Sequence, residues 1–141
     1  MVKENSNQER VTLLVVTGTA FLVPFIGSAI NLALPLLGEE YNSSALLLGW
    51  VVTAYLLATA ALLLPFGRLA DIIGRRKVFL TGLGFFTLVS LLCSLATSTE
   101  MLVALRLLQG IAAAMIFSTS TAILTSVYPP ARMGKALGMT V

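Results

Sequence analysis

Asp71 and Arg75 stand four positions apart in the stretch Gly67–Leu80, GRLADIIGRRKVFL, which holds five of the chain's fifteen charged residues (nine basic, six acidic) within ten positions. An acid and a base at that spacing share a helix face and can form an ion pair. Gly67 lets a second helix approach the same face, and Gly74 permits a tight turn. Other chemistry lacks raw material: histidine is absent and Cys93 is the one cysteine, so disulfide frameworks, thiolate metal centres and histidine-dependent triads are excluded. Cys93 lies in an apolar run and reads as a buried structural thiol. No Asp or Glu lies inside an apolar run, which leaves no obvious proton relay. The residues therefore suit a conformational switch; no catalytic centre, metal site or cofactor is expected.

The surroundings of these residues are greasy. The chain is 57% hydrophobic and 11% charged, where a soluble domain carries about 25% charge, and its mean hydropathy is +0.96. An all-α polytopic membrane protein follows, and 141 residues leave room for four spans of about 20 residues, not for ten. Residues 1–10 read as a polar, frayed tail. Residues 11–141 divide into spans at about 11–37, 45–66, 78–96 and 101–127, with a fifth helix beginning near 135. The first run is too long for a signal-peptide core and more spans follow it, so it reads as a membrane helix. Pro24 and Pro35 are candidates for a kink in it. Ser43 or Ser44 can cap the second helix, and Tyr128-Pro-Pro breaks the fourth.

Lys and Arg alternate along this frame. The head has Lys3 and Arg10, the 68–77 loop has four and the 128–135 loop has two, whereas the intervening turns carry only Glu39, Glu40 and Glu100. The positive-inside rule places the N-terminus and the 68–77 loop in the cytoplasm. Arg75, Arg76 and Lys77 can anchor to anionic headgroups of the lipid bilayer. The basic residues sit at the ends of apolar runs, not on an aromatic-interleaved patch, so no nucleic-acid partner is expected.

Two helix faces stand out. In the first span Thr17, Phe21, Pro24, Ser28, Asn31 and Pro35 recur at steps of three and four, a stripe expected to face protein or a water-filled cavity. Asn31 there serves either an interhelical hydrogen bond or a cavity contact. In the fourth span Arg106, Gln109, Gly110, Ala113 and Ala114 share a face; Gly110 and Ala114 form a small-xxx-small pair for close helix approach. Arg106 is expected to be buried with partners in the bundle instead of snorkelling to the outer rim.

The pattern Gly67, Asp71, Gly74, Arg75, Arg76, Lys77 resembles the signature between helices two and three of the major facilitator superfamily of secondary transporters. Leu102, Arg106, Gln109, Gly110, Ala113 and Ala114 resemble its second signature, on the fourth helix. The segments AINLALP (29–35) and WVVTAYLLATA (50–60) are similar to the fourteen-span drug/proton antiporter subgroup. Nine residues before Pro35, where that subgroup often has Asp, this chain has Ile26.

The resemblance implies two six-helix halves around a central cavity, of which this chain holds four helices and a stub of the N-terminal half. It implies a fragment of an inner-membrane exporter of small amphipathic compounds, coupled to a proton or another ion and working by alternating access with the missing C-terminal helices. It further implies a conformational gate at Gly67, Asp71, Gly74, Arg75 and Arg76, in which Asp71 clasps the other half in one state and releases it in the other. Arg106, Gln109 and Gly110 would serve coupling or cavity electrostatics, and Asn31, Ser28 and Tyr55 would line the cavity. The rival readings are a self-sufficient four-helix transporter acting as a homodimer, and a truncated membrane protein that transports nothing.

Overall fold

The computed structural model describes residues 2–127, with side chains from residue 11 onward except at 124, 125 and 127. Its four helices are α1 (Val2–Glu40), α2 (Ala45–Ile73), α3 (Arg75–Cys93) and α4 (Thr99–Val127). All four contain a segment long and apolar enough to cross a membrane: Val11–Glu40, Ala45–Ile73, Arg75–Cys93 and Thr99–Ile123. The expected break at Tyr128-Pro-Pro and the fifth helix near 135 lie outside the described residues.

The helix boundaries differ from those that hydropathy marks. Residues 2–10, expected to fray, continue α1. They contain no Pro or Gly, and extending an existing helix adds a hydrogen bond per residue without a new nucleation cost. The same reasoning carries α1 past 37 to Glu40 and α2 past 66 to Ile73, since a helix need not stop where its apolar run does. Pro24 and Pro35 lie inside α1 without interrupting it. The expected 68–77 loop contracts to one residue, Gly74, at φ 106° and ψ 124°. That region is open to glycine and strained for other residues. α3 consequently starts at Arg75, three residues early, and ends at Cys93, where the Ser94 hydroxyl bonds the Leu91 carbonyl at 2.7 Å. Ser44 caps α2 by accepting from the Leu47 N–H at 3.3 Å, and Ser98 accepts from the Met101 N–H at 3.2 Å at the start of α4.

α4 is the centre of the bundle. Half of its apolar window is buried, against 17% to 28% for the other three spans. It packs most extensively on α2, then on α3, and α1 lies against it more lightly. The core joins Val16 and Val23 of α1, Tyr55 of α2, Phe79 and Phe86 of α3, and Ala112, Ala113 and Ile116 of α4. Outward-facing leucines such as Leu32, Leu64 and Leu91 are exposed, as a lipid-facing surface requires.

Two glycines set the main crossings. A methyl group on Gly110 would run into the Tyr55 carbonyl oxygen and stand 2.9 Å from the Ala58 Cβ and 3.2 Å from the Thr59 Oγ1. On Gly82 it would stand 2.8 Å from the Met115 Cβ. In lipid, where helices gain little from hydrophobic exclusion, such close backbone approach supplies the dispersion contacts that hold them together. Thr59 reinforces the first crossing: its hydroxyl lies 2.8 Å from the Tyr55 carbonyl and 3.1 Å from the Gly110 carbonyl. Gly110→Ala should lower stability by about 1–3 kcal/mol through overpacking. Gly84→Ala, whose new methyl meets nothing within 4 Å, should be neutral or stabilising by up to about 1 kcal/mol through helix propensity. Thermal unfolding of both variants in detergent measures the difference.

Candidate functional site

Arg106 is 2% exposed, so the guanidinium is buried and does not reach for the rim. A cation in that position needs its hydrogen-bond capacity filled. Its partners come from a neighbouring helix and from its own. Nε donates to the Val51 carbonyl of α2 at 3.2 Å, and one terminal nitrogen donates to Gln109 Oε1 at 2.7 Å. The guanidinium carbon lies 4.3 Å from the centroid of the Tyr55 ring, a cation–π contact. Gln109, fully buried, passes the chain on: its Nε2 donates to the Ser90 hydroxyl of α3 at 2.7 Å, and Ser90 donates to the Phe86 carbonyl at 2.7 Å. One polar line thus runs from α2 through α4 to α3. It fixes a positive charge in the membrane layer using dipoles and a ring, with no carboxylate at ion-pair distance among the described residues.

Local structure explains the convergence. Arg106 and Gln109 are three apart on α4 and therefore adjacent on its face, while the Gly110 crossing brings α2 close enough for Val51 and Tyr55 to be reached. A cavity of about 440 Å³ opens beside this line between α1, α3 and α4; Ile30 and Ala33 form part of one wall, and Ser90, Cys93 and Gln109 part of the other.

The second constellation lies at the α2–α3 junction. Arg75 Nε donates to Asp71 Oδ1 at 3.0 Å, and an Arg75 terminal nitrogen reaches the Ala122 carbonyl of α4 at 3.3 Å. The pair forms across the Gly74 break and not along one helix, and both side chains are exposed, so on its own it contributes only about 0–1 kcal/mol. Asp71 also sits in the last turn of α2. Gly67 has room to spare: an added methyl would lie 3.9 Å from the Ser118 Cβ, so the four helices make no close approach there. Arg76 and Lys77 are exposed beside the pair.

Of the residues singled out from the sequence, Arg106, Gln109, Gly110 and Tyr55 come together, and so do Asp71 and Arg75. Asn31 and Ser28 do not join them. Both are exposed on α1, on a stripe that α2–α4 leave uncovered, because α1 packs through Val16, Thr19 and Val23 instead. Tyr55 is buried under Arg106. Ser90 was not among the residues that the sequence singled out; its signal was a hydroxyl at the i+4 position from Phe86 on the buried face of α3. Because Gln109 fills the guanidinium's shell, Gln109→Leu should cost about 3–5 kcal/mol, the usual penalty for leaving a buried charge short of a partner. Arg106→Leu combined with Gln109→Leu should cost less than the two singles together, by about 0.5–3 kcal/mol. A double-mutant cycle of unfolding in detergent reads this coupling, and strict additivity would refute it.

Comparison with known proteins bears on what this arrangement belongs to. The chain is 48% identical over 116 residues to the cephamycin export protein CmcT of Amycolatopsis lactamdurans, covering 82% of this chain and 24% of that protein. It is 31% identical over 133 residues to the riboflavin transporter RibZ of Clostridioides difficile, covering 94% and 29%. It is 38% identical over 128 residues to the puromycin resistance protein pur8 of Streptomyces alboniger, covering 90% and 25%. The chain therefore spans about a quarter of the length of the curated relatives it matches. Residues 16–140 match the Major Facilitator Superfamily as a family, and with four packed membrane helices and both signature stretches in place, the chain belongs to that superfamily.

Proposed function

We propose that this chain is the N-terminal part of a secondary active transporter that exports small amphipathic compounds by alternating access. The observation that carries the reading is the uncovered stripe of α1. Ser28 and Asn31 project from a membrane span on a face that α2, α3 and α4 do not touch, and polar side chains at that depth belong against further helices or a water-filled path. Relatives named for cephamycin export and puromycin resistance support the export direction and the substrate class.

In this reading Asn31 and Ser28 line the substrate path, and the Arg106–Gln109–Ser90 line holds a permanent positive charge buried among α2, α3 and α4. A fixed charge of this kind biases the occupancy of a nearby coupling ion such as a proton without itself changing state. At the α2–α3 junction Asp71 is held by Arg75 but remains exposed, available to a helix of the other half. Gly67, with space above it, gives that helix a place to lie. Gly74 supplies the hinge, and Arg76 adds positive charge at the membrane surface.

The charges also support a topology in the cell membrane. Arg75, Arg76 and Lys77 are exposed at one end of the bundle, and Glu39, Glu40 and Glu100 at the other. The basic end is cytoplasmic by the positive-inside rule, and so is the N-terminus.

Two measurements test these assignments. In the full-length transporter, Asp71→Asn should leave insertion intact and slow transport about fivefold, the effect of losing on the order of 1 kcal/mol of attraction to the N-terminus of a helix in the other half; an unchanged efflux rate would remove the gate. With Cys93 replaced by Ala, a cysteine at Glu100 should react with a membrane-impermeant thiol reagent added outside intact cells, and one at Lys77 should react only after permeabilisation. The opposite pattern would invert the topology.

A further inference from the structure

Tyr41 occupies a position that neither the gate nor the buried arginine uses. It lies in the α1–α2 turn, where it contributes to the walls of two cavities. On one side is the mainly apolar cavity of about 440 Å³ whose wall includes Ser90, Cys93 and Gln109. On the other is a polar recess of about 280 Å³ formed by the two turns, with Asn42, Ser43, Thr97, Ser98 and Glu100 in its wall. The Tyr41 hydroxyl donates to the Ala96 carbonyl in the α3–α4 turn at 2.9 Å. Beside it the Ser43 and Thr99 hydroxyls are hydrogen-bonded to each other, and Thr99 is 1% exposed. The turn that presents Tyr41 is shaped for this: Asn42 takes the left-handed conformation at φ 48°, and the Ser43 N–H returns to the Gly38 carbonyl at 3.0 Å. Asparagine tolerates that conformation better than most residues.

The geometry points to Tyr41 as a lid: its ring separates the polar recess from the cavity that leads to the Arg106 line, and its bond to Ala96 latches it shut. The consequence is control of water. With the lid closed, Gln109 and Ser90 face a mainly apolar cleft that the polar recess does not join. With it open, the recess and the cavity join, and water reaches the Gln109 end of the line that holds Arg106. Aromatic rings suit this role because they present a large apolar face to one side and a polar handle to the other.

Cys93, the one cysteine of the sequence and half-buried in the cavity wall, is a built-in reporter. A charged methanethiosulfonate needs water to reach it and react, because the thiolate is the reactive form. The full-length transporter, with any cysteine other than Cys93 replaced, is placed in lipid nanodiscs, where both faces meet the reagent, and labelled in that form and in three variants. Tyr41→Phe keeps the ring and loses the latch, so labelling should rise about fivefold, as expected for one net hydrogen bond. Tyr41→Ala should raise it further. Thr53→Ala, at an exposed α2 position whose hydroxyl bonds the Gly49 carbonyl of its own helix, should leave the rate unchanged. The lid is refuted if Tyr41→Phe labels at the wild-type rate, or if Thr53→Ala speeds labelling as much as Tyr41→Phe does, which would indicate general loosening.

Discussion

Placing one guanidinium inside a membrane bundle constrains three of its four helices. A cation in hydrocarbon is stable only where its N–H groups are met, and Arg106 is met by a carbonyl on α2 and an amide on α4 that is itself braced by α3. Each partner lies at a fixed distance, so the helices are registered against one another along their length as well as packed side by side. Apolar contact alone would not do this, because leucine against lipid and leucine against leucine are nearly equivalent. The buried line is therefore a device for register, and its cost in desolvation is offset by hydrogen bonds and by the face of Tyr55.

That line can form only because the backbones come close. Gly110 follows Gln109 directly and lies against the Tyr55 carbonyl, while Gly82 does the equivalent between α3 and α4. The alanines around them, 112 to 114, are fully buried. Small residues and the charged residue thus belong to one design: the first bring the helices within reach, and the second fixes where along the axis they stop. α1 stands apart from this. It joins the core through valines and leaves Ser28 and Asn31 exposed.

How far the fold could be read in advance follows from the physics of each feature. Spans were visible because a run of about 20 apolar residues, wound as a helix, matches the thickness of the hydrocarbon layer. Their ends were less visible, since hydropathy marks where hydrocarbon stops and hydrogen bonding carries the helix several residues beyond, as at Ile73 and Glu40. Gly74 was legible as a turn because glycine is the residue that takes φ 106° without strain. On α4, periodicity put Arg106, Gln109 and Gly110 on one face. Periodicity on one helix does not say what another helix brings to meet it, so Ser90, the Val51 carbonyl and the latch from Tyr41 to Ala96 had no advance signal strong enough to single them out.

The sequence by itself determined the membrane class, the four spans, the segregation of charge to opposite ends and the identity of the buried cation, because these depend on composition and on spacing within a single helix. Tertiary structure decided which groups satisfy Arg106, that Tyr55 lies beneath it, and that Asp71 and Arg75 pair across a break. It also decided that Ser28 and Asn31 of the α1 stripe face away from α2–α4, whereas the Thr17 hydroxyl is buried. Those outcomes depend on the depth and rotation at which helices meet, and both are set by side-chain contacts between segments far apart in the chain.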